Sequence, residues 1–553
     1  MKSVRFCRQV GIFRNMLLVA IGLIMAGAAY GQSVTWMRTS AAGDRNKVAT
    51  PAPTFHASGT AAAVTITVNP TTTYQTMMGF GGSFTESAAD AMNALTDPVV
   101  HQQAIDAYFG PTGANYSVCR AQIGASDFSD NLYSFDDQNG DFSLANFSVQ
   151  HDVNTIIKYI KDAMTRNPNL RVFGSPWSAP AWMKTNNNMD NGGFLKSDAQ
   201  TQNAWALYFV KYVQQYKLQG VPIWGITIQN EPQATQTWPS MIFDYTQEHD
   251  FLKNYLGPTL AASGLGPDKL AVMFWDHNKD KMVDWANAFY NDPITSAMVW
   301  GEAIHWYSGD NFDNVATVYN NFKGRHILAT EQCLTGGPHP GDYSGAESYA
   351  HDIYGDILNG CEGWVDWNLA LNTQGGPNVS SNWCSAGILV NTGAHTFSLN
   401  PIYYYMVQFS KYCRPGAVRI AASVTGANAP EVMAFKNPDS SIVVIAHNAG
   451  NASYTARIVN AGNQIEYNTT PQSMDDFVWY PAGVSVVNNH SVAASKSKTA
   501  AGTHIAGLGK TSDLQKTNAA KYSVTGKSVS ESATSHVTPG IYVDKPGNTA
   551  GTK

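Results

Sequence analysis

Charged residues are scarce in this sequence, and cations are fewer than anions. Only 14% of the 553 residues are charged, and 35 Lys and Arg against 41 Asp and Glu give a net charge of −6 at pH 7. A nucleic-acid-binding protein needs an excess of positive charge on its surface. The composition therefore argues against a nucleic-acid partner.

Cysteines are few, and metal-binding signatures are absent from the sequence. There is no HExxH motif, residues 136–141 lack calcium-loop spacing, and no CxxC knuckle or disulfide framework can be read. We therefore expect no metal and no cofactor. Cys361 and Cys384 are the pair that could form a single disulfide. Apart from Cys7, the cysteines are Cys119, Cys333, Cys361, Cys384 and Cys413.

No long apolar run follows the first 31 residues, so no segment approaches the roughly 20 residues that a transmembrane helix needs. Residues 1–31 carry Lys2, Arg5, Arg8 and Arg14 without an acid, then an apolar run, then small residues. This pattern is typical of a secretory signal peptide. We expect a soluble protein, secreted to the medium or cell surface or retained in a periplasm, without stable membrane insertion. The sequence does not indicate an oligomeric state.

Residues 77–410 alternate short β-type runs with helical periodicity, which is typical of a parallel sheet. Eight strands with intervening helices predict an α/β fold, a (β/α)8 TIM barrel. The strands are predicted near residues 79–80 and over residues 118–123, 170–173, 223–228, 270–274, 298–305, 326–329 and 363–367.

Segments on both sides of the predicted barrel alternate in period two. Residues 32–76 and 411–480 are expected to build an attached β-sandwich from both chain ends. Residues 481–521 are rich in small and polar residues with little to bury, so we interpret them as a linker. Residues 522–553 follow as a separate segment.

Two glutamates end β-rich runs that lie 100 residues apart. Glu231 follows residues 226–230 within Asn-Glu-Pro, and Glu331 follows residues 326–330. Barrel catalysis occurs where strands end, and glycosidic cleavage needs one protonated and one ionised carboxyl, about 5 to 5.5 Å apart for retention. The sequence therefore predicts a retaining glycosidase. For either glutamate alone, a helix cap or a surface ion pair is the alternative.

Arg120, near the end of the second predicted strand, is expected to hold Glu331 ionised. Glu231 would then stay protonated at rest because of its neighbour's charge. A buried structural ion pair is the alternative for Arg120 and is compatible with that role. Cys333 lies two residues past Glu331 but has no base to activate it, so we interpret it as a packed thiol.

Ordered motifs across residues 74–480 resemble glycoside hydrolase family 30, most closely its glucosylceramidase (glucocerebrosidase) branch. The resemblance implies Glu231 as the acid/base, Glu331 as the nucleophile and a terminal β-glucoside as substrate. The motifs lie at residues 79–85, 124–129, 175–186, 230–232, 305–307, 329–333 and 366–368.

The resemblance also implies a glucose-binding subsite of carboxylate, indole and amide groups that suit sugar hydroxyls and faces. Asn230 would hold the sugar 2-hydroxyl, and Tyr307 would hydrogen-bond Glu331. Core packing is the alternative for Trp177, and an N-cap is the alternative for Asp127. The subsite residues are Asp127, Trp177, Trp367 and Asn382.

The sequence departs from the glucosylceramidase pattern where the leaving group would rest. Trp238-Pro239 stands where the family presents Tyr-Pro at the pocket rim, and Val379 stands near an expected tryptophan. Ceramide, a glucan or another leaving group therefore stay open, and residues 227–232 also resemble the β-1,6-glucanases of the family. A non-catalytic carbohydrate-binding surface protein is the alternative outside the enzymes.

The C-terminal end carries a second resemblance. Residues 522–527 and 540–543 look like the C-terminal sorting module of gliding-type bacterial secretion. A short β-hairpin without an export role is the alternative.

Overall fold

The computed structural model describes residues 32–59, 61–427 and 429–481. The predicted signal peptide, nearly all of the predicted linker and the predicted sorting module lie outside these residues.

The strands fall into a central set, which alternates with helices, and two flanking sets. They are β1 (Thr35–Ser40), β2 (Lys47–Val48), β3 (Val64–Thr76), β4 (Gly79–Phe84), β5 (Val118–Ile123), β6 (Arg171–Pro176), β7 (Ile223–Thr227), β8 (Ala271–Asn278), β9 (Gly301–His305), β10 (His326–Glu331), β11 (Gly363–Asp366), β12 (Ala370–Asn372), β13 (Ile388–Asn391), β14 (Thr396–Leu399), β15 (Val418–Gly426), β16 (Glu431–Lys436), β17 (Ile442–Asn448), β18 (Thr455–Asn460), β19 (Asn463–Asn468) and β20 (Ser473–Trp479).

The helices lie mainly between the central strands. They are α1 (Glu86–Asn93), α2 (Pro98–Phe109), α3 (Ile156–Arg166), α4 (Ala199–Leu218), α5 (Tyr245–Phe251), α6 (Gly257–Ala262), α7 (Met282–Tyr290), α8 (Pro293–Met298), α9 (Phe312–Asn321), α10 (Tyr343–Leu358) and α11 (Pro401–Ser410).

Strands β4 to β11 form a closed barrel in chain order, and neighbouring strands pair in parallel. The predicted TIM barrel is therefore confirmed. Strand β7 is the fourth barrel strand and β10 is the seventh, so the chain segments that carry Glu231 and Glu331 lie on opposite sides of one mouth.

Closure of the barrel depends on a glycine in its first strand. A Cβ on Gly81 would lie 1.6 Å from the carbonyl oxygen of Val118 on β5. Any other residue at this position would therefore push β4 and β5 apart.

Helix α4 shows why the segments between strands form helices. Asp198 caps its first turn by accepting a hydrogen bond from the backbone N–H of Thr201. Aromatic residues on one face, among them Trp205 and Phe209, are buried and pack with ring centroids 4.9 Å apart. Gly220 follows with φ +87°, a conformation that suits the end of a helix.

The flanking strands from both chain ends form the predicted β-sandwich. They make one hydrogen-bonded sheet in the order β19-β18-β3-β15-β16-β17-β20-β1-β2. The sheet folds back on itself, so that strands near its two ends meet. Trp36 on β1 stacks on Phe477 of the neighbouring β20 and also contacts Tyr467 of β19. A separate apolar core fills the space between the two layers.

Helix α10 joins the barrel to the sandwich. The hydroxyl of Tyr354 donates to the carbonyl of Ile445 over 3.0 Å. His447 of β17 is buried between Glu347 of this helix and Glu431 of β16, at 2.9 and 2.8 Å. The sandwich is thus fixed to one side of the barrel.

The disulfide between Cys361 and Cys384, which the sequence left possible, is not formed. The five cysteines of residues 32–481 are all free and buried. Cys361 lies two residues before β11, at the N-terminal end of the barrel, whereas Cys384 lines the cavity at the opposite end. The two thiols are therefore too far apart to form a disulfide.

No helix of the described residues is long and apolar enough to cross a bilayer.

Candidate active site

Both glutamates reach one cavity at the C-terminal mouth of the barrel. Glu331 is the last residue of β10, and Glu231 lies four residues past the end of β7. Glu231 has φ +44°, in the left-handed region that is uncommon outside glycine. The two side chains line the same cavity of about 260 Å³.

Each carboxylate oxygen of Glu331 accepts a hydrogen bond from a fixed donor. Arg120 Nη1 donates to Oε2 over 2.5 Å, and the Tyr307 hydroxyl donates to Oε1 over 2.9 Å. Arginine keeps its charge inside proteins, so this contact favours an ionised Glu331.

Arg120 is the centre of a buried network beneath the cavity. It is fully buried on β5, and its Nη2 donates to Asn230 Oδ1 and to Asp276 Oδ2, both over 2.7 Å. Its Nε donates to the hydroxyl of Ser175 over 2.9 Å. The guanidinium therefore orients Asn230 and Glu331 together.

Glu231 faces two histidines. His305 Nδ1 lies 3.3 Å from Glu231 Oε1, and His277 Nδ1 lies 3.8 Å from the same oxygen. The other ring nitrogen of His305 contacts Asp276 Oδ1 over 3.0 Å. Glu231 is thereby connected through His305 and Asp276 to the Arg120 network.

The four residues predicted for the glucose subsite lie together on one wall of the cavity. Trp177 and Trp367 stack with ring centroids 4.8 Å apart, and Arg120 lies over the Trp177 ring at 4.7 Å. Asn382 Nδ2 donates to Asp127 Oδ2 over 2.9 Å. These contacts present two indoles, a carboxyl and an amide to a ligand.

Asp127 keeps one oxygen without a protein partner. Its Oδ1 is buried and makes no hydrogen bond, and no helix begins at this residue, so the N-cap alternative does not apply. Burial and the charge of Glu331 raise the pKa of Asp127 to about 7, although the bond from Asn382 opposes the rise. A buried carboxyl with a free oxygen is suited to a sugar hydroxyl.

Family models match both parts of the chain. The glycosyl hydrolase family 30 TIM-barrel domain matches residues 77–413, and the family 30 beta sandwich domain matches residues 416–475. The chain belongs to glycoside hydrolase family 30. It is therefore a glycoside hydrolase and not the non-catalytic protein named as an alternative.

Relatives in the family carry two different activities in their names. Lysosomal acid glucosylceramidase of Mus musculus is 31% identical over 71% of this chain and 79% of its own length. Endo-1,6-beta-D-glucanase neg1 of Aspergillus fumigatus is 32% identical over 73% of this chain and 85% of its own. The crystal structure of SrfJ from Salmonella typhimurium superposes with TM-score 0.76 at 30% identity, over 81% of this chain and 99% of that one.

The protonation of Glu231 differs from the expectation from sequence, in which this carboxyl is protonated at rest. Burial acts to raise the pKa of Glu231, but the hydrogen bond with His305 and the charges of His277, His305 and Arg120 lower it. From the sequence we considered only the effect of the neighbouring carboxylate on the pKa of Glu231, and not that of the two histidines. These contacts favour an ionised Glu231 beside a protonated His305.

His305 can hold that proton because anions surround it. Burial lowers its pKa, but the charge of Glu331 and the hydrogen bonds with Asp276 and Glu231 raise it to about 9. For Glu331, burial raises the pKa, and the positive charges of His305 and Arg120 oppose the rise. We assign a negative charge to Glu331 as well as to Glu231, because both oxygens of Glu331 face donors.

The rim of the family 30 site carries the departures noted in the sequence. Trp238 lines the cavity and Val379 is exposed. Trp383, which the sequence analysis did not select, is also exposed beside Asn382. Cys333 lines the cavity, but burial raises the pKa of its thiol well above the usual value, as a packed thiol requires.

Sequence reasoning missed Asp276, His277 and His305 as site residues. All three lie at the ends of β8 and β9, where polar residues follow buried strand residues as they do before Glu231 and Glu331. The same strand-end rule could have found them.

Proposed function

We propose that this glycoside hydrolase is a retaining β-glycosidase that removes terminal β-linked glucose by double displacement. Glu331 attacks the anomeric carbon, and Glu231 protonates the leaving oxygen and later activates water. The observation that carries the proposal is the pair of donors on Glu331, Arg120 and Tyr307, in the cavity that Glu231 also lines.

The acid proton reaches Glu231 from His305. A bound sugar excludes water from the cavity, and separated charges become more costly where water is excluded. The ion pair of Glu231 and the His305 imidazolium then converts to a neutral pair, which leaves the proton on Glu231. The 3.3 Å contact between them provides the path.

The cavity supports a small terminal sugar as the bound unit. Its volume of about 260 Å³ is below the 300 to 1,000 Å³ that is usual for larger ligands. Asp127 offers its free oxygen and Trp177 a flat face at the inner wall. A leaving group would extend past Trp238 to the outside.

A β-1,6-glucanase activity is the second candidate. The Aspergillus relative named as an endo-1,6-β-glucanase supports it, and so does Trp383, which is exposed between the cavity-lining residues Asn382 and Cys384. Exposed aromatic rings outside a pocket suit further sugar units.

Azide rescue tests the two roles. With an activated aryl β-glucoside, Glu331→Ala in azide should give the inverted α-glycosyl azide, because azide enters the space of the missing nucleophile. Glu231→Ala should give the retained β-glycosyl azide, formed from the covalent intermediate. Without azide, Glu331→Ala should lose about 100-fold or more in kcat/KM. Glu231→Ala should lose about 100-fold or more in kcat, because hydrolysis of its intermediate lacks the general base. The anomer is determined by NMR.

Glu362→Gln is the matched control, since Glu362 pairs with His326 at the other end of the barrel. It should keep wild-type activity. The same azide product from both alanine variants would refute the assigned roles.

Product size separates the two activities. If aryl β-glucosides and glucosylceramide yield glucose alone and a β-1,6-glucan is not digested, the result supports removal of terminal glucose. Oligosaccharides from the glucan support the second candidate. Trp238→Ala should then weaken binding of the leaving-group portion and leave the aryl glucosides little affected.

We also propose that the enzyme is exported, which residues 1–31 support. N-terminal sequencing of protein recovered from outside the cytoplasm should begin near residue 32. Recovery of the uncleaved chain inside cells would contradict export.

A further inference from the structure

Three side chains converge behind the carboxyl that we propose as the acid/base. One ligand atom each of Glu231, His277 and His305 lies within 4.8 Å of those of the other two. The closest approach, 3.3 Å between Glu231 Oε1 and His305 Nδ1, already equals the spacing of two ligands about 2.1 Å from one tetrahedral ion. The 3.8 Å to His277 Nδ1 needs only a small closure.

Two features prepare the histidines as ligands. His277 Nδ1 is buried and has no hydrogen-bond partner, so no protein contact has to be broken for it to bind an ion. His305 Nε2 is held by Asp276 Oδ1 over 3.0 Å, which directs Nδ1 toward Glu231. A histidine fixed by a carboxylate on its far nitrogen is the usual arrangement around bound zinc.

Asp276 is itself fixed, so the arrangement is rigid. The Thr330 hydroxyl donates to its Oδ1 over 2.6 Å, and Arg120 donates to its Oδ2 over 2.7 Å. Glu231 and His277 also line the substrate cavity. A fourth ligand position would therefore open to water or to a sugar oxygen.

The donor set selects the chemical class of the ion. Two imidazoles and one carboxylate suit Zn²⁺ and its neighbours Co²⁺, Ni²⁺ and Cu²⁺. Mg²⁺ and Ca²⁺ prefer six or more oxygen ligands, which these residues do not offer.

We infer that Glu231, His277 and His305 form a site for a divalent transition-metal ion that reversibly inhibits the enzyme. The ion replaces the proton that His305 shares with Glu231 and occupies the oxygen that would protonate the leaving group. The double displacement proposed above uses no metal. Inhibition rests on the proposed role of Glu231, whereas binding of the ion does not.

Binding is tested with Co²⁺, whose visible absorption reports imidazole and carboxylate ligation without any activity measurement. The chelator-treated full chain should develop this absorption with Co²⁺ and lose it when Zn²⁺ is added. His277→Asn should abolish or strongly reduce it. His351→Asn, which changes a histidine with a 53% exposed side chain, should leave it unchanged.

Inhibition is measured with an aryl β-glucoside over a range of Zn²⁺ concentrations. Zn²⁺ should inhibit the wild type and His351→Asn equally, and a chelator should restore activity. His277→Asn should need at least about tenfold more Zn²⁺ for half-inhibition, whatever its own activity.

Absence of Co²⁺ absorption, or equal Zn²⁺ sensitivity of wild type and His277→Asn, would overturn the site. Co²⁺ binding that depends on His277 in a protein without β-glucosidase activity would uphold the site and refute the proposed function. Zn²⁺ binding without inhibition of an active enzyme would refute the inhibitory role.

Discussion

Asp276→Asn should separate the chemistry of the buried network from its packing. Asp276 accepts from Arg120 and Thr227 through Oδ2 and from Thr330 through Oδ1, and His305 also contacts Oδ1. Asparagine has nearly the same shape, but one of its two positions becomes an amide group. In one orientation this amide group faces Arg120 and cannot accept its hydrogen bond. In the other orientation it faces His305 and cannot accept a hydrogen bond from that ring.

The magnitude follows from the contact that is lost. A hydrogen bond to a charged group is worth about 1.5 to 3 kcal/mol, and the substitution also leaves Arg120 partly unpaired. We expect a loss of about 2 to 3 kcal/mol in transition-state stabilisation, which is about 30- to 150-fold in kcat/KM. Without the Asp276 charge, the pKa of His305 falls from about 9, so the alkaline limb of kcat/KM moves to lower pH.

The assay is kcat/KM for an aryl β-glucoside as a function of pH, with circular dichroism to verify folding. Asp310→Asn is the matched control, because the side chain of Asp310 is 66% exposed and should not affect either value. A folded Asp276→Asn variant within about threefold of wild type, or with an unmoved alkaline limb, would refute the role of the network.

Two further changes test the fold. Burial lowers the pKa of His447, but hydrogen bonds with Glu347 and Glu431 raise it from 6.5 to about 9. The protonated histidine between its two glutamates therefore stabilises the fold by about 3 kcal/mol below pH 6.5, and this contribution is lost as pH rises through 9. Thermal unfolding should show that His447→Gln is less stable than wild type at low pH and converges with it at high pH, whereas a constant difference would contradict the linkage. Gly81→Ala should prevent folding or lower stability by more than about 3 kcal/mol, because its Cβ meets a backbone carbonyl at 1.6 Å. Gly393→Ala, with its nearest atom at 3.7 Å, is the control and should be nearly neutral in chemical denaturation.

The sequence could predict the barrel because every barrel strand is a short buried run followed by helical periodicity. It could predict both glutamates because each stands at the end of a β-rich run of the sequence. Strand β8 is different. We predicted an end near residue 274, whereas the strand continues to Asn278 with positive φ at Trp275 and Asp276.

That difference has a physical cause. The pairing of β8 with β9 shifts between Trp275 and His277, which marks a β-bulge, and a bulge re-aims the next side chains. The sequence marks Asp276 and His277 as polar residues at a strand end, but propensity and periodicity carry no signal for the bulge that turns them into the site. The pairing of β10 with β9 also shifts, between Ala329 and Glu331, at the glutamate that we propose as the nucleophile.

The cysteine pairing stayed open for a different reason. Sequence spacing says nothing about which end of a barrel a residue reaches, and Cys361 and Cys384 reach opposite ends. The same limitation hid Trp383, whose place at the mouth depends on the path of a loop and not on any strand.

The charge balance of the site explains why the strands and not the loops determine its protonation. Arg120, Asp276, His305 and Glu331 each come from a different barrel strand. These two cations and two anions surround Glu231, a third anion four residues past the end of β7. A lone buried carboxylate costs several kcal/mol, whereas a well-paired one costs much less. A shift of one residue in any strand would turn its charged side chain away from the others. The charges therefore face one another only when all the barrel strands pair in the correct register. The loop that carries Trp238 lies outside this network, so it can vary with the leaving group while the reacting pair keeps its charges.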